Sequence, residues 1–282
     1  MKIGLIGSED RRHFWEKQLS SFDNVREIIH TDSLEAIGHA DACIILEQDP
    51  QIALQSMRKG YPTFLVSRLV TDPDLARKLY FTSEEAGVPF MISNWSLFSP
   101  ATKWMVDTIP NPYFIHISRN LPWDKFSRSS ISWESLWTEE LALCLKWMNS
   151  SIHKIDVSTT KISPSIITGI HISIRYENSG TSIIHITLCG SQETYTRQAS
   201  GTHQEVWSDV LEKEIQWGRM IDNGEFSYRK ISIDHKEPSR QAISYFFRAL
   251  KDRTSPAYNA HDLNTFAKAA NQVDEFLKRT VA

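Results

Sequence analysis

The sequence predicts an α/β domain followed by an α+β domain, and three observations carry that reading. Short, continuously apolar strands alternate with helical patterns up to about residue 92. The periodicity then changes to strict two-residue alternation around residues 170–188. Two amphipathic helical stretches close the chain. Continuous apolar strands joined through helices belong to a parallel sheet covered on both faces, with right-handed crossovers, whereas alternation marks strands with one wet face.

In order, residues 3–7 (Ile-Gly-Leu-Ile-Gly) read as the first strand, and Phe14, Leu19 and Phe22 follow at roughly helical spacing. Residues 25–30 form a second strand, 34–37 a short helical turn and 42–46 a third strand. A helix over 50–59 ends at Gly60, where glycine tolerates the left-handed conformation of a helix terminus, before a strand at 63–66. Thr71-Asp72-Pro73 opens a helix that stops at Gly87, and 88–92 is the fifth strand. Further on, Tyr113 to Ile117 is a strand and 136–148 a helix. Ile170, Ile172, Ile174 and Tyr176 alternate with His171, Ser173 and Arg175, turn at Asn178-Ser179-Gly180, and return through Ile184, Ile186 and Leu188, an antiparallel hairpin. Strands at 155–157 and 231–233 and helices over 239–251 and 261–278 complete the chain. These elements set the domains at 1–120 and 121–282, with the last helices able to pack back on the first domain.

Composition narrows the function classes. The 282 residues carry 31 Lys plus Arg against 34 Asp plus Glu, so a net charge of −3 gives no broad positive field for nucleic acid or an anionic membrane. No apolar run is long enough for a membrane span or signal peptide. Three scattered cysteines, Cys43, Cys144 and Cys189, suit a reducing compartment, so the cytoplasm is the expected location.

The strand ending Val66-Ser67-Arg68-Leu69-Val70-Thr71, the segment Glu84-Glu85-Ala86-Gly87-Val88-Pro89-Phe90-Met91-Ile92 and Phe98-Ser99-Pro100 follow one another in an order that resembles one family. The chain is similar over nearly its whole length to the Gfo/Idh/MocA oxidoreductases, including a helix ending Lys146-Trp147-Met148 and two terminal helices. The resemblance implies a Rossmann domain carrying NAD or NADP, a sheet domain closing over the nicotinamide, a small-molecule substrate in the interdomain cleft, and homodimers or larger homo-oligomers made through the C-terminal sheet.

The functional motifs depart from that pattern. A dinucleotide site wants G-x-G-x-x-G at the first strand-to-helix turn, where glycines let the backbone approach the pyrophosphate. Gly7, Glu9 and Arg12 occupy the three places. Gly7, Ser8, Arg11 and Arg12 are the candidate phosphate contacts, with the arginines offsetting Glu9 and Asp10. Asp32 is either the ribose-binding acid or a helix N-cap, since the chain from Gly7 to Ile45 is about one βα unit shorter than the family pattern. Where the family's E-K-P lysine serves as the cation beside the substrate hydroxyl stands Val66-Ser67-Arg68, and its Asp-x-x-x-His pair aligns with Leu136 and Glu140. Ser67, Arg68 and Glu140 are therefore the catalytic candidates, Glu140 either as a carboxylate base or as an ordinary helix-start acid. Asn94, Trp95, Trp133 and Trp137 are the substrate-pocket candidates, the tryptophans either stacking on a flat ligand or covering the domain junction. His171 and His185 share a strand face and could pair on a metal, but no third ligand is fixed by spacing, and no metal site is assigned. Three readings remain open: a divergent NAD(P)-dependent oxidoreductase, active or inactive; a non-catalytic scaffold or small-molecule-binding subunit that partners an active paralogue; and, compatible with either, a structural or interaction module whose sheet makes a homodimer.

Overall fold

A computed structural model describes residues 1–163, 166–222, 224–233 and 237–281. The chain divides into two compact units, one formed by Met1–Phe98 with Lys236–Lys268 and the other by Ser99–His235 with Ala269–Ala282. The compact units part between Phe98 and Ser99. The reason is the strand that follows: Ile115 and Ile117 are fully buried, and their strand bonds into the second sheet.

The elements of the first unit run β1 (Lys2–Ile6), α1 (Glu9–Leu19), β2 (Glu27–Thr31), a 3-10 turn (Leu34–Ile37), β3 (Ala42–Ile45), α2 (Pro50–Arg58), β4 (Thr63–Leu65), α3 (Pro73–Ala86), β5 (Phe90–Ile92) and α4 (Trp95–Phe98). The five strands form a parallel sheet in the order β2-β1-β3-β4-β5. Local chemistry starts and stops the helices as read from the sequence. The Asp49 carboxylate accepts the Gln51 N–H ahead of Pro50, and the Asp72 carboxylate accepts those of Asp74 and Leu75 ahead of Pro73. Gly87 ends α3 in the left-handed conformation at φ 63°. Residues of the C-terminal segment return to this unit. There Phe246 packs on Phe64 at 5.7 Å between ring centroids and Phe247 on Phe22 at 5.4 Å.

In the second unit α5 (Pro100–Thr108), β6 (Phe114–Asn120), α6 (Trp123–Arg128) and α7 (Trp133–Met148) precede seven strands. These are β7 (Ile152–Ser163), β8 (Ile166–Tyr176), β9 (Thr181–Thr187), β10 (Thr194–Ser200), β11 (Gln204–Asp209), β12 (Glu214–Met220) and β13 (Phe226–Ile231). The last helices are α8 (Pro238–Asp252) and α9 (Ala260–Val281). The eight-stranded sheet has the order β13-β12-β11-β10-β6-β9-β8-β7. Its one parallel pair is β6 with β9; its other neighbours are antiparallel, including the expected β8–β9 hairpin. One face is apolar, with Ile115, Ile117, Ile172, Ile174, Ile184, Ile186 and Val206 all fully buried. Trp147 of α7 donates its indole N–H to the Ile109 carbonyl at 2.7 Å, and Trp104 of α5 meets Trp217 edge to face at 6.3 Å. Among the described residues no helix is long and apolar enough to cross a membrane.

Candidate functional site

The strand order of the first sheet reverses at β1, so β1 and β3 leave in opposite directions at their carboxyl ends. That crevice is where open α/β sheets bind ligands. Gly7 ends β1 at φ 151°, and a Cβ there would sit 2.8 Å from the Leu46 Cβ, so only glycine fits between the two strand ends. The next residue, Ser8, precedes α1 and directs its backbone N–H to a carboxylate of the same chain, Glu47 Oε1, at 3.0 Å. Arg11 donates from Nη1 to the Leu46 carbonyl at 2.5 Å, and Arg12 pairs with Asp32 at 3.0 Å. Ser8, Arg11 and Arg12 are thus each engaged within the chain, and Asp32, the exposed partner of Arg12, makes no side-chain cap to the 3-10 turn. An incoming pyrophosphate would meet the Glu47 carboxylate on the N–H it needs, with Glu9 and Asp10 beside it in the first turn of α1. The residues present do not fit a bound dinucleotide in this arrangement.

At the ends of β4 and β5, Ser67 is 8% exposed and donates its hydroxyl to the Arg68 carbonyl at 3.0 Å, while Ser93 donates to the Ser67 carbonyl at 2.7 Å. The exposed Arg68 donates its backbone N–H to Gln48 Oε1 at 3.1 Å. Asn94 is fully buried. Its Oδ1 accepts the Leu97 N–H at 3.1 Å, while its Nδ2 has no partner. Trp95 belongs to an aromatic row, 6.3 Å from Trp15 and 6.3 Å from Phe98.

Glu140 stands in the second unit. It is 1% exposed and takes both Arg197 Nε (3.1 Å) and Nη2 (2.7 Å), a forked pair, together with the Tyr195 hydroxyl. Arg197, itself 3% exposed, also reaches Thr102 Oγ1 at 2.6 Å. Burial pushes the Tyr195 phenol up; burial by itself would lower the Arg197 guanidinium, but the Glu140 carboxylate and Tyr195 outweigh it and hold the guanidinium up. A carboxylate whose two oxygens are held by three fixed donors in a dry core is built as a structural anchor.

Next to that anchor lies a residue the sequence reading passed over. Arg119 on β6 faces Tyr195 across the sheet and lays its guanidinium 4.7 Å from the Tyr195 ring centroid. Trp133 and Trp137 lie one turn apart on α7, on the helical face that continues to Glu140. The cross-strand register of β6 and β10 is the signal that exposes Arg119, and it exists only once the sheet is assembled. On the opposite face His171 and His185 are direct partners with rings 5.9 Å apart and His116 beside them. Among the described residues no group of three or more His, Cys, Asp or Glu side chains is placed to hold a metal ion.

No protein-family model and no curated protein sequence matches the chain. Solved structures do match it over its whole length. UDP-N-acetylglucosamine 3-dehydrogenase GnnA from Acidithiobacillus ferrooxidans superposes with a TM-score of 0.84 at 13% identity, covering 100% of this chain and 99% of that one. Levoglucosan dehydrogenase in complex with NADH and levoglucosan gives 0.80 at 12% identity, covering 99% and 97%. The chain has the fold of the Gfo/Idh/MocA-type dehydrogenases. An NAD-binding oxidoreductase from Klebsiella pneumoniae shares that dehydrogenase fold with this chain at a TM-score of 0.77 and 11% identity, over 98% and 96% of the two chains.

Proposed function

We propose that this protein is a small-molecule-binding member of the dehydrogenase fold that does not turn over a nicotinamide cofactor. The observation that carries this reading is the Glu47 carboxylate seated on the Ser8 N–H at the mouth of the switch point. It supplies from within the chain the negative oxygen that a phosphate would bring. Three further features point the same way: a single glycine of the usual three, arginines tied to Leu46 and Asp32, and Glu140 locked to Arg197. Its partner in this reading is a second copy or an active paralogue. Either would meet the outward sheet face that carries Phe114, Ile183, Trp207 and Tyr228.

The test is calorimetric titration with NAD, NADH, NADP and NADPH of the parent and of Glu47→Ala. The parent is expected to give no saturable heat with any of the four. Gain of NADH binding in Glu47→Ala alone identifies Glu47 as the residue that closes the site. A second reading, a divergent NAD(P)-dependent oxidoreductase using Ser67, Arg68 and Glu140, is favoured by the full-length likeness to dehydrogenases solved with NADH. It requires tight NAD(P)H binding by the parent and turnover on a polyol or imine panel that Ser67→Ala or Glu140→Gln abolishes.

A further inference from the structure

The β12–β13 hairpin carries a recess of about 270 Å³, whose lining includes Trp217, Arg219, Ile221, Asp222, Ser227 and Arg229. Strand register brings these side chains together. Trp217 stands directly opposite Arg229, and Arg219 directly opposite Ser227, so all four share one face of two paired strands, the face of the buried Ile215. Side chains in direct opposition lie about 4.5–5.5 Å apart and diagonal ones about 7–8 Å. Arg219 and Arg229 are diagonal neighbours, close enough for both long side chains to reach one anion between them.

One wall of the recess is fixed in advance. Trp217 meets Trp104 of α5 edge to face at 6.3 Å, and its indole N–H donates to Gln204 Oε1 at 3.4 Å, so the ring keeps one orientation. The charges are uneven: two guanidinium groups share the recess with the carboxylate of Asp222 at the turn end. On the other face of the same hairpin the cation is paired, Lys230 with Glu214 at 3.2 Å. Both arginines are exposed and hydrated, so their convergence on one recess singles them out, more than the lack of a carboxylate partner. Like charges gathered on neighbouring strands repel, and an anion between them reverses the sign.

Two forks select the shape of that anion. One guanidinium satisfies both oxygens of a carboxylate, whereas the three terminal oxygens of a phosphomonoester accept from two guanidinium groups arriving from different strands. The Ser227 hydroxyl adds a donor. A recess of this size stands at the lower end of small-molecule sites, so it suits a metabolite of a few carbons and is too small for a whole dinucleotide.

We propose that this recess binds a small phosphomonoester, with its phosphate held by Arg219 and Arg229, its carbon skeleton laid on Trp217 and a ligand hydroxyl donating to Asp222. The inference rests on the reading of the protein as a small-molecule binder and names the chemical class of its ligand.

Calorimetry with glycerol 3-phosphate at about 150 mM sodium chloride tests it, with glycerol as the neutral control and succinate as the carboxylate control. Saturable binding of glycerol 3-phosphate, weaker binding of succinate and none of glycerol are expected. Arg219→Gln and Arg229→Gln each weaken the binding about tenfold, the loss of one charge-assisted contact. Arg175→Gln, on the opposite face of the sheet, leaves it unchanged. Melting curves of the variants establish that they are folded, as expected for exposed positions. Silence towards glycerol 3-phosphate, affinity unchanged in the Arg219→Gln, Arg229→Gln double variant, an equal loss in Arg175→Gln or a preference for succinate overturns the assignment. NADH is titrated into the parent and the double variant alongside. Silence there leaves the reading of the switch-point site standing even if the phosphomonoester fails. NADH binding that survives in the double variant overturns that reading and leaves the recess untouched.

Discussion

Glu140→Gln is expected to destabilise the second unit severely. The Glu140–Arg197 pair is held at 2.7 Å with side-chain exposures of 2% and 3%, so the amide leaves a guanidinium dehydrated without its counter-charge. Breaking one side of a buried ion pair costs about 3–5 kcal/mol. Tyr195 and Thr102 still contact Arg197, which places the expected cost near the lower figure, about 3 kcal/mol out of a total stability of about 5–15 kcal/mol. At about 2–4 °C per kcal/mol this is a melting-temperature decrease of roughly 6–12 °C. Differential scanning calorimetry measures it. The double variant Glu140→Leu with Arg197→Met removes both charges together and should lose less than the sum of the two single changes. A Glu140→Gln protein that melts within error of the parent would refute the reasoning, because it would mean that the pair is not dehydrated.

Gly7→Ala should cost about 1–3 kcal/mol, since its Cβ would be driven to 2.8 Å from Leu46 on a backbone at φ 151°; chemical denaturation reads the loss. The native protein should expose one thiol to a disulfide reagent at mildly alkaline pH. Cys189 is exposed, while Cys43 is buried with its pKa pushed up to about 11 and Cys144 is buried and pushed higher still. His116 and His185 have their pKa values lowered from 6.5, first by burial and then by neighbouring imidazoles. Their folded-state pKa values lie below the unfolded ones, so the unfolded chain binds more protons. This contribution to stability is complete above about pH 6.5 and is lost as pH falls below it. His116→Gln should flatten that part of the stability–pH profile, and an unchanged slope would contradict the assignment.

The parallel sheet was legible in the sequence because its strands are continuously apolar and its helices carry their own start and stop residues. The strands β10 to β12 were not. On β10 the inward positions are Tyr195, Arg197 and Ala199, and a buried arginine breaks the alternation that marks a half-buried strand. That arginine makes sense only beside Glu140, more than fifty residues away in the chain. Glu140 stood in the sequence as half of an adjacent acid pair, Glu139-Glu140, and nothing local revealed that its oxygens are already bound. Glu47 escaped notice for a related reason. It follows the third strand in sequence and reaches Ser8 only because β3 is the neighbour of β1 in the sheet.

The Ser8 backbone amide tests the central claim most directly. In a two-dimensional 15N–1H spectrum of the labelled protein, excess NADH or NADPH should leave the Ser8 resonance where it is, because Glu47 holds that N–H. A saturable displacement of the Ser8 signal, with neighbouring amides of α1 moving alongside it, would contradict the account and make this chain a nicotinamide-binding protein.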